Sequence, residues 1–332
     1  MIKFNELLEE TRRHQADAEG LYDTWLAARK ITRTGALIWR EVNGRNYLYR
    51  LRGSSGYGPS LGRESEENHQ LYADHQAALA TEKNTWNRLH MYGGLVNRVG
   101  RGPSIPSYVG ELLRQLDMDG ALGSEVLVIG THAMAAYAAE AGVVFSPSVT
   151  STQDLDISRS PRPAHPLKLL EALKKTDSTF VSNQEKTFQL RNKHGHEVEI
   201  LSCANSLPIK DDDVQPVPAL GQDWLHMGRP VERIVFDTKL LPAKIVAPDP
   251  RYFAFHKMWL SVQPERNPLK KAKDKAQALE LMRAVLTYMP HYPVDVEFCA
   301  SLPAPLKAHV CDFDACFQSL SPMVEKANRR GP

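Results

Sequence analysis

The sequence predicts an α+β protein. A small mixed β-sheet core is flanked by an N-terminal helix and β-hairpin accessory region and by a helical C-terminal region. Three observations predict this. Between Leu122 and Val246 short apolar runs alternate with helix-like runs, as in Glu125-Val-Leu-Val-Ile-Gly-Thr131 leading into His132-Ala-Met-Ala-Ala-Tyr-Ala-Ala-Glu140. Upstream, two alternating runs meet at Asn43-Gly44, and Asn-Gly supplies the positive φ that a two-residue hairpin turn needs. Downstream, Asp249-Pro250 and Asn267-Pro268 follow in quick succession. Asp or Asn caps a helix start, and Pro is favoured in its first turn. The boundaries expected from this are 1–105, 106–247 and 248–332.

In chain order, residues 1–34 read as one or two helices, with Leu7, Leu8, Leu21, Tyr22, Trp25 and Leu26 at helical spacing. Leu37–Val42 and Arg45–Arg50 form the hairpin. It carries Arg40, Arg45, Arg50 and Arg52 among Trp39, Tyr47 and Tyr49. That pattern suits either contact with nucleic acid or phosphate by charge and stacking, or ordinary cross-strand pairs on a half-exposed sheet. Gly53-Ser-Ser-Gly-Tyr-Gly-Pro59 is a flexible loop ended by Ser60–Arg63. The acids Glu64, Glu66 and Glu67 that follow argue against a phosphate cradle. A polar helix is expected from Glu64 to about Val96, a break at Gly100-Arg-Gly-Pro103 and Pro106, and a short amphipathic helix over Tyr108–Leu116.

The stretch richest in chemistry is Thr152-Gln-Asp-Leu-Asp-Ile157. Alternate side chains of a strand point to one face. Asp154 and Asp156 therefore share a face, with Leu155 and Ile157 turned to a core. Two carboxylates that close repel unless a cation lies between them. Val198-Glu199-Ile200-Leu201 offers a third. Glu197 competes with Glu199, but only Glu199 is flanked on both sides by core residues. Val143–Thr150 reads as a loop at the edge of this site, Leu167–Lys174 as a helix, and Thr179–Ser182, Thr187–Leu190 and His196–Leu201 as strands. The order is β-α-β followed by antiparallel strands. Ser202–Arg229, with Pro208, Pro216, Pro218 and Asp211-Asp-Asp213, reads as an irregular insert before the strands Ile234–Phe236 and Ala243–Val246.

Two helices close the pattern, Arg251–Gln263 with His256, Lys257 and Trp259, and Leu269–Met289, which starts with Lys270, Lys271, Lys273, Asp274 and Lys275. Lysines near a helix start oppose the dipole, which favours an anionic partner there. A net charge of +2 over 332 residues excludes a globally basic protein, so any basic surface is local. No apolar run approaches the ~20 residues of a membrane helix, and the acidic N-terminal stretch does not resemble a signal peptide. Cys203, Cys299, Cys311 and Cys316 lack zinc-ribbon spacing. A cytoplasmic protein is expected.

The order strand-Gly130-Thr131-helix, then Asp154-Leu-Asp156, then Val198-Glu199-Ile200 resembles the polymerase-β-type nucleotidyltransferase superfamily. More narrowly, Gly-Thr-His-Ala from Gly130, Ala-Pro-Asp-Pro from Ala247, His-Lys-Met-Trp-Leu-Ser from His256 and Tyr-Leu-Tyr-Arg from Tyr47 are similar to a bacterial group of nucleotidyltransferase-fold proteins. The likeness spans about residues 20 to 295. It implies transfer of a nucleoside monophosphate from a nucleoside triphosphate to an acceptor hydroxyl on RNA or tRNA, protein or a small molecule. It also implies two divalent ions, Mg²⁺ or Mn²⁺, on Asp154, Asp156 and Glu199. Gly130 and Thr131 are implied at the phosphates, with Lys257 and Lys273 as triphosphate-binding lysines; His132 is expected to cap or pack at the helix start. The chain departs from the superfamily in having Thr131 where Ser or Gly is usual, and a longer gap from Gly130 to Asp154 than its smallest members. Two other readings stay open. One is a catalytically silent module of the same fold that binds nucleotide or RNA. The other is a metal-dependent glycosyltransferase, which also uses a D-x-D pair.

Overall fold

Alternation along one strand organises the core. In Glu197–Cys203, Val198 and Ile200 are buried, and they lie opposite Leu155 and Ile157 of the parallel strand Asp154–Arg159, also buried. The same pairing puts Glu197 beside Asp154 and Glu199 beside Asp156 on the other face. Val126–Ile129, fully apolar and buried, closes one side antiparallel to Asp154–Arg159. On the other side Gln189–Arg191 pairs antiparallel with the central strand, and Val181–Ser182 extends the sheet. The two central strands are parallel, so the chain must cross over between them. The helix Leu169–Thr176 lies on that crossover.

The structure is a computed structural model and describes residues 4–52, 56–100, 102–150, 152, 154–204, 206 and 212–313. A second sheet, Val231–Asp237 with Pro242–Ala247 and the short Ser104–Ile105, stands behind the helix Ala133–Ala141. Its alternation sorts two cores. Val235 joins the large cluster around the first sheet, while Ile234 and Phe236 join a smaller one with Tyr22, Trp25 and Leu89. Tyr22 and Trp25 lie on the helix Glu9–Thr32 and Leu89 on the helix Glu66–Gly100. Phe4 reaches the large cluster, and Asn5–Glu6 pairs with Val143–Val144, so the chain's first described residues are laced into the core. The helices Pro250–Val262 and Pro268–Tyr288 start at the expected caps, where the Asp249 and Asn267 side chains accept from the backbone N–H groups of Arg251 and Leu269.

Several expectations are corrected. Ser60–Arg63, read as the end of a loop, is a third strand paired with Arg45–Leu51 beside the Asn43-Gly44 hairpin. Val143–Thr150 is no plain loop, because it holds the Val143–Val144 strand and a one-turn helix Pro147–Thr150. The irregular insert contains the strand Val217–Ala219, which pairs parallel with Leu201–Cys203, and a 3₁₀ turn Gln222–His226. Asp212 and Asp213 of the acidic run accept from the backbone N–H groups of Leu167, Leu170 and Glu171 and so cap the helix Leu169–Thr176 from a distance. Gly53–Ser55, Arg101, Gln153, Pro208, Asp211, Cys316 and the tail past residue 313 lie outside the described residues. Cys203, Cys299 and Cys311 are free thiols. Among the described residues no helix is long and apolar enough to cross a membrane.

Candidate active site

Register assembles the site. Ile129, Asp156, Glu199 and Gln189 lie opposite one another across four neighbouring strands. Two residues back along both strands, Asp154 faces Glu197. The result brings one oxygen from each of Asp154, Asp156 and Glu199 within 4.8 Å of the others. Both Glu199 and its competitor Glu197 are held by one side chain. Gln189 Nε2 donates to Glu199 Oε1 at 2.8 Å and to Glu197 Oε2 at 3.2 Å, so the buried amide holds both glutamates in place.

The electrostatics follow from this crowding. Burial, and next the Asp154 charge, pushes the Asp156 carboxyl up to about 6, with Glu199 adding and Lys257 and Lys270 opposing. Burial works in the same direction on Asp154. It is outweighed by the Thr152 hydroxyl, which donates to Oδ1, and by Lys270 and Lys273, so Asp154 is held below the usual carboxylate range. One aspartate is ready to be ionised and its neighbour resists it, which is the condition a bound cation relieves. All the donors are carboxylate oxygens. Such a set fits a hard divalent ion such as Mg²⁺ or Mn²⁺ and offers no soft sulfur or imidazole ligand.

Gly130 touches the acids more closely than the sequence suggests. It sits at φ +66° at the end of Val126–Ile129, and a Cβ there would lie 2.1 Å from Asp156 Oδ2. Its backbone thus leaves room for the carboxylate itself. Thr131 is buried in the 3₁₀ turn Gly130–His132, and its hydroxyl accepts from Gln277 Nε2 at 3.3 Å. His132 packs at that turn and makes no side-chain cap; burial draws it down to about 4, so it is neutral near pH 7. Lys257 is buried, with Nζ 2.8 Å from Asp274 Oδ1, while Arg266 Nε takes Asp274 Oδ2 at 2.7 Å. Its charge still reaches Asp156. Lys273 is half-buried on the helix Pro268–Tyr288 and feels Asp154 and Asp156.

Other residues at the site escape sequence reasoning. Lys270, which the resemblance gives no role, acts on both aspartates. Tyr108 stacks face to face on His196, with ring centroids 3.9 Å apart and planes 5° apart. Burial, and then Asp154, Asp156 and Glu197, pushes its phenol up to about 12, so it stays protonated beside the acids. The signals for these residues are tertiary. None sits in a local pattern that a strand or helix period reveals. A groove of about 990 Å³ opens elsewhere, lined by Trp25, Trp86, Arg114 and neighbours. Its charges are largely matched internally, by Arg29–Glu82, Arg33–Asp119 and Lys175–Asp119.

A nucleotidyltransferase family model matches residues 107–298, more than half of the chain and all of the acidic cluster. No protein of curated function and no solved structure matches the chain.

Proposed function

The chain belongs to this nucleotidyltransferase family, and from that premise we propose that it is a metal-dependent enzyme moving a nucleoside monophosphate from a nucleoside triphosphate to an acceptor hydroxyl. The observation that carries the reading is the convergence of Asp154, Asp156 and Glu199 within 4.8 Å. In the reaction the acceptor oxygen bonds to the α-phosphorus, the bond to the bridging oxygen breaks, and pyrophosphate leaves. A divalent ion held by the three carboxylates would neutralise the charge that builds on the attacking and leaving oxygens.

The chain's own residues do the rest. Asp154 and Asp156, on one strand, would hold the cation. Glu199, fixed by Gln189, orients the acceptor hydroxyl and takes its proton. Lys270 and Lys273 lie at the rim, where they attract the triphosphate, and Lys257 adds positive charge from behind its pair with Asp274. Gly130 leaves room for the Asp156 carboxylate, and with Thr131 it would bring backbone close to the phosphates. The acceptor is an RNA or tRNA end, a protein side chain or a small molecule, and a cytoplasmic setting supplies the triphosphates.

The test incubates the protein with each of the four α-³²P-labelled triphosphates, Mg²⁺ or Mn²⁺, total RNA and cell lysate, beside a folded Asp154→Ala/Asp156→Ala variant. Label in RNA, protein or a small molecule with wild type alone is the expected result and names the acceptor class. Triphosphate binding that ignores the metal, with no label in any fraction, would sink the reading in favour of a silent binding module.

A further inference from the structure

The hairpin that the sequence marks as basic and aromatic forms, with Ser60–Arg63, a three-stranded antiparallel sheet. Its register separates two faces. Leu37, Trp39 and Glu41 lie on one side, opposite Arg50, Leu48 and Asn46. That side is covered: Leu37 and Leu48 are buried, and Trp39 rests on His69 and Tyr72 of the helix Glu66–Gly100. The other side carries Ile38, Arg40, Arg45, Tyr47, Tyr49 and Arg63. Tyr47 and Tyr49 are half-buried, and the three arginines are exposed. Arg40 lies over the Tyr49 ring at 5.5 Å, and Arg63 over the Tyr47 ring at 6.0 Å. Among the described residues, no strand position on this face is acidic, since Glu41 points to the covered side.

Two half-buried rings set among exposed cations, with acids sorted to the back, fit a strand that offers flat bases and phosphates together. A duplex hides its base faces, and RNA is the polymer recognised chiefly through unstacked single-stranded segments. An anionic lipid surface would use the arginines but give the rings no planar partner. About 20 Å of helix separates Tyr72 from Trp86, where the helix joins the smaller core. None of the three strands pairs with the sheet that carries the acids, so the face belongs to a separate sheet. We propose that it binds single-stranded RNA, with bases stacked on Tyr47 and Tyr49 and phosphates met by Arg40, Arg45 and Arg63.

Fluorescence anisotropy of labelled oligouridine with the full chain tests this, without triphosphate or divalent metal. Wild type is expected to bind with steep salt dependence. Tyr47→Ser/Tyr49→Ser should bind about tenfold or more weakly at an unchanged salt slope. Arg45→Gln, at the exposed hairpin tip and harmless to the fold, should make the slope shallower by about 0.7, which keeps the test alive where the tyrosine variant unfolds by circular dichroism. Asp154→Ala/Asp156→Ala should bind as wild type; tighter binding there, where two charges that repel phosphate are gone, would place the RNA at the acidic cluster and overturn the assignment. Tighter binding of duplex RNA, of the matching DNA strand or of phosphatidylserine vesicles would overturn it as well. So would an unchanged affinity in the folded tyrosine variant together with an unchanged slope in Arg45→Gln. Because neither nucleotide nor metal is present, a failure here leaves the transferase reading standing.

Discussion

A methyl group at Gly130 would lie 2.1 Å from Asp156 Oδ2 and 2.9 Å from its Cγ. A carbon and an oxygen settle at about 3.3 Å or beyond, so the carboxylate or the turn must move by about 1 Å. The strand cannot yield, because Leu155 and Ile157 on either side are fully buried. The carboxylate must therefore swing away from Asp154 and Glu199. Gly130→Ala is expected to lose about 100-fold in transfer rate, the usual cost of a 1 Å misplacement. It should also weaken the rise in thermal midpoint that Mg²⁺ or Mn²⁺ produces, since that rise reports ion binding to the folded state. The φ of +66° adds about 1–2 kcal/mol of instability for any L-residue. Gly142→Ala is the control. It has φ +67°, but its Cβ would meet only the Arg12 side chain, with Cδ at 3.0 Å, and that side chain is half exposed and can shift. It should carry the same instability in urea unfolding and keep full metal response and turnover. If the two variants behave alike in all three assays, Gly130 does not position Asp156 and the reasoning fails.

Three further outcomes are expected. Gln189→Leu removes the amide that joins Glu197 and Glu199 and should weaken metal affinity or turnover about 10- to 100-fold, as loss of a partner behind a ligand does; a metal titration of the folded variant decides. Asp274→Asn strips the buried pair from Lys257 and the second contact from Arg266 and should cost about 3–5 kcal/mol in urea unfolding. Lys257→Met leaves Arg266 on Asp274 and should cost less, and unchanged triphosphate affinity in that variant would remove Lys257 from nucleotide binding. His256 is fully buried between Trp224 and Trp259, and burial draws it down to about 3. Above pH ~6.5 folded and unfolded forms are both neutral, so it contributes no pH dependence. As pH falls below that value the unfolded chain takes the proton first and stability is lost. The loss reaches about 2 kcal/mol at pH 5, and His256→Phe should flatten the urea-unfolding difference between pH 7 and pH 5 by that amount.

The acids were legible because a strand's period is local. Asp154 and Asp156 alternate with Leu155 and Ile157, Glu199 sits between Val198 and Ile200, and the parallel register then sets them side by side. The helix caps at Asp249 and Asn267 were legible for the same reason. What escaped depends on distant segments meeting. Gln189 lies on a three-residue strand, and its role appears only once register sets it opposite Glu199. Tyr108 stands in the first turn of a helix, and nothing nearby signals that His196 and the acids will flank it. Ser60–Arg63 is short and holds Gly62, so its strand character comes from pairing with Tyr47 and Leu48 rather than from propensity. Asp213 belongs in sequence to an irregular insert, and only the fold brings it to the backbone of Leu170 and Glu171.

The charges also explain why the helices after the sheet cannot be treated as an appendage. Three carboxylate oxygens within 4.8 Å need offsetting charge even before a cation arrives. The lysines that help to lower Asp154 and oppose the rise of Asp156 are Lys257 on Pro250–Val262 and Lys270 and Lys273 on Pro268–Tyr288. The sheet provides the acids in fixed register, and the helices provide the counter-charge. Their docking is fixed by polar contacts at the site's own turn. Gln277, fully buried, donates to the Thr131 hydroxyl and to the Val149 carbonyl, and Glu280 accepts from Ser146 N–H and Oγ. These bonds tie the helix to the segment that runs from Gly130 toward Asp154. The charge balance at the acids and the position of the phosphate-side backbone are thus set by the same docked helix. Movement of that helix would alter both at once, which makes the sheet–helix seam, rather than the acidic strand alone, the unit that sets the charge at the acids.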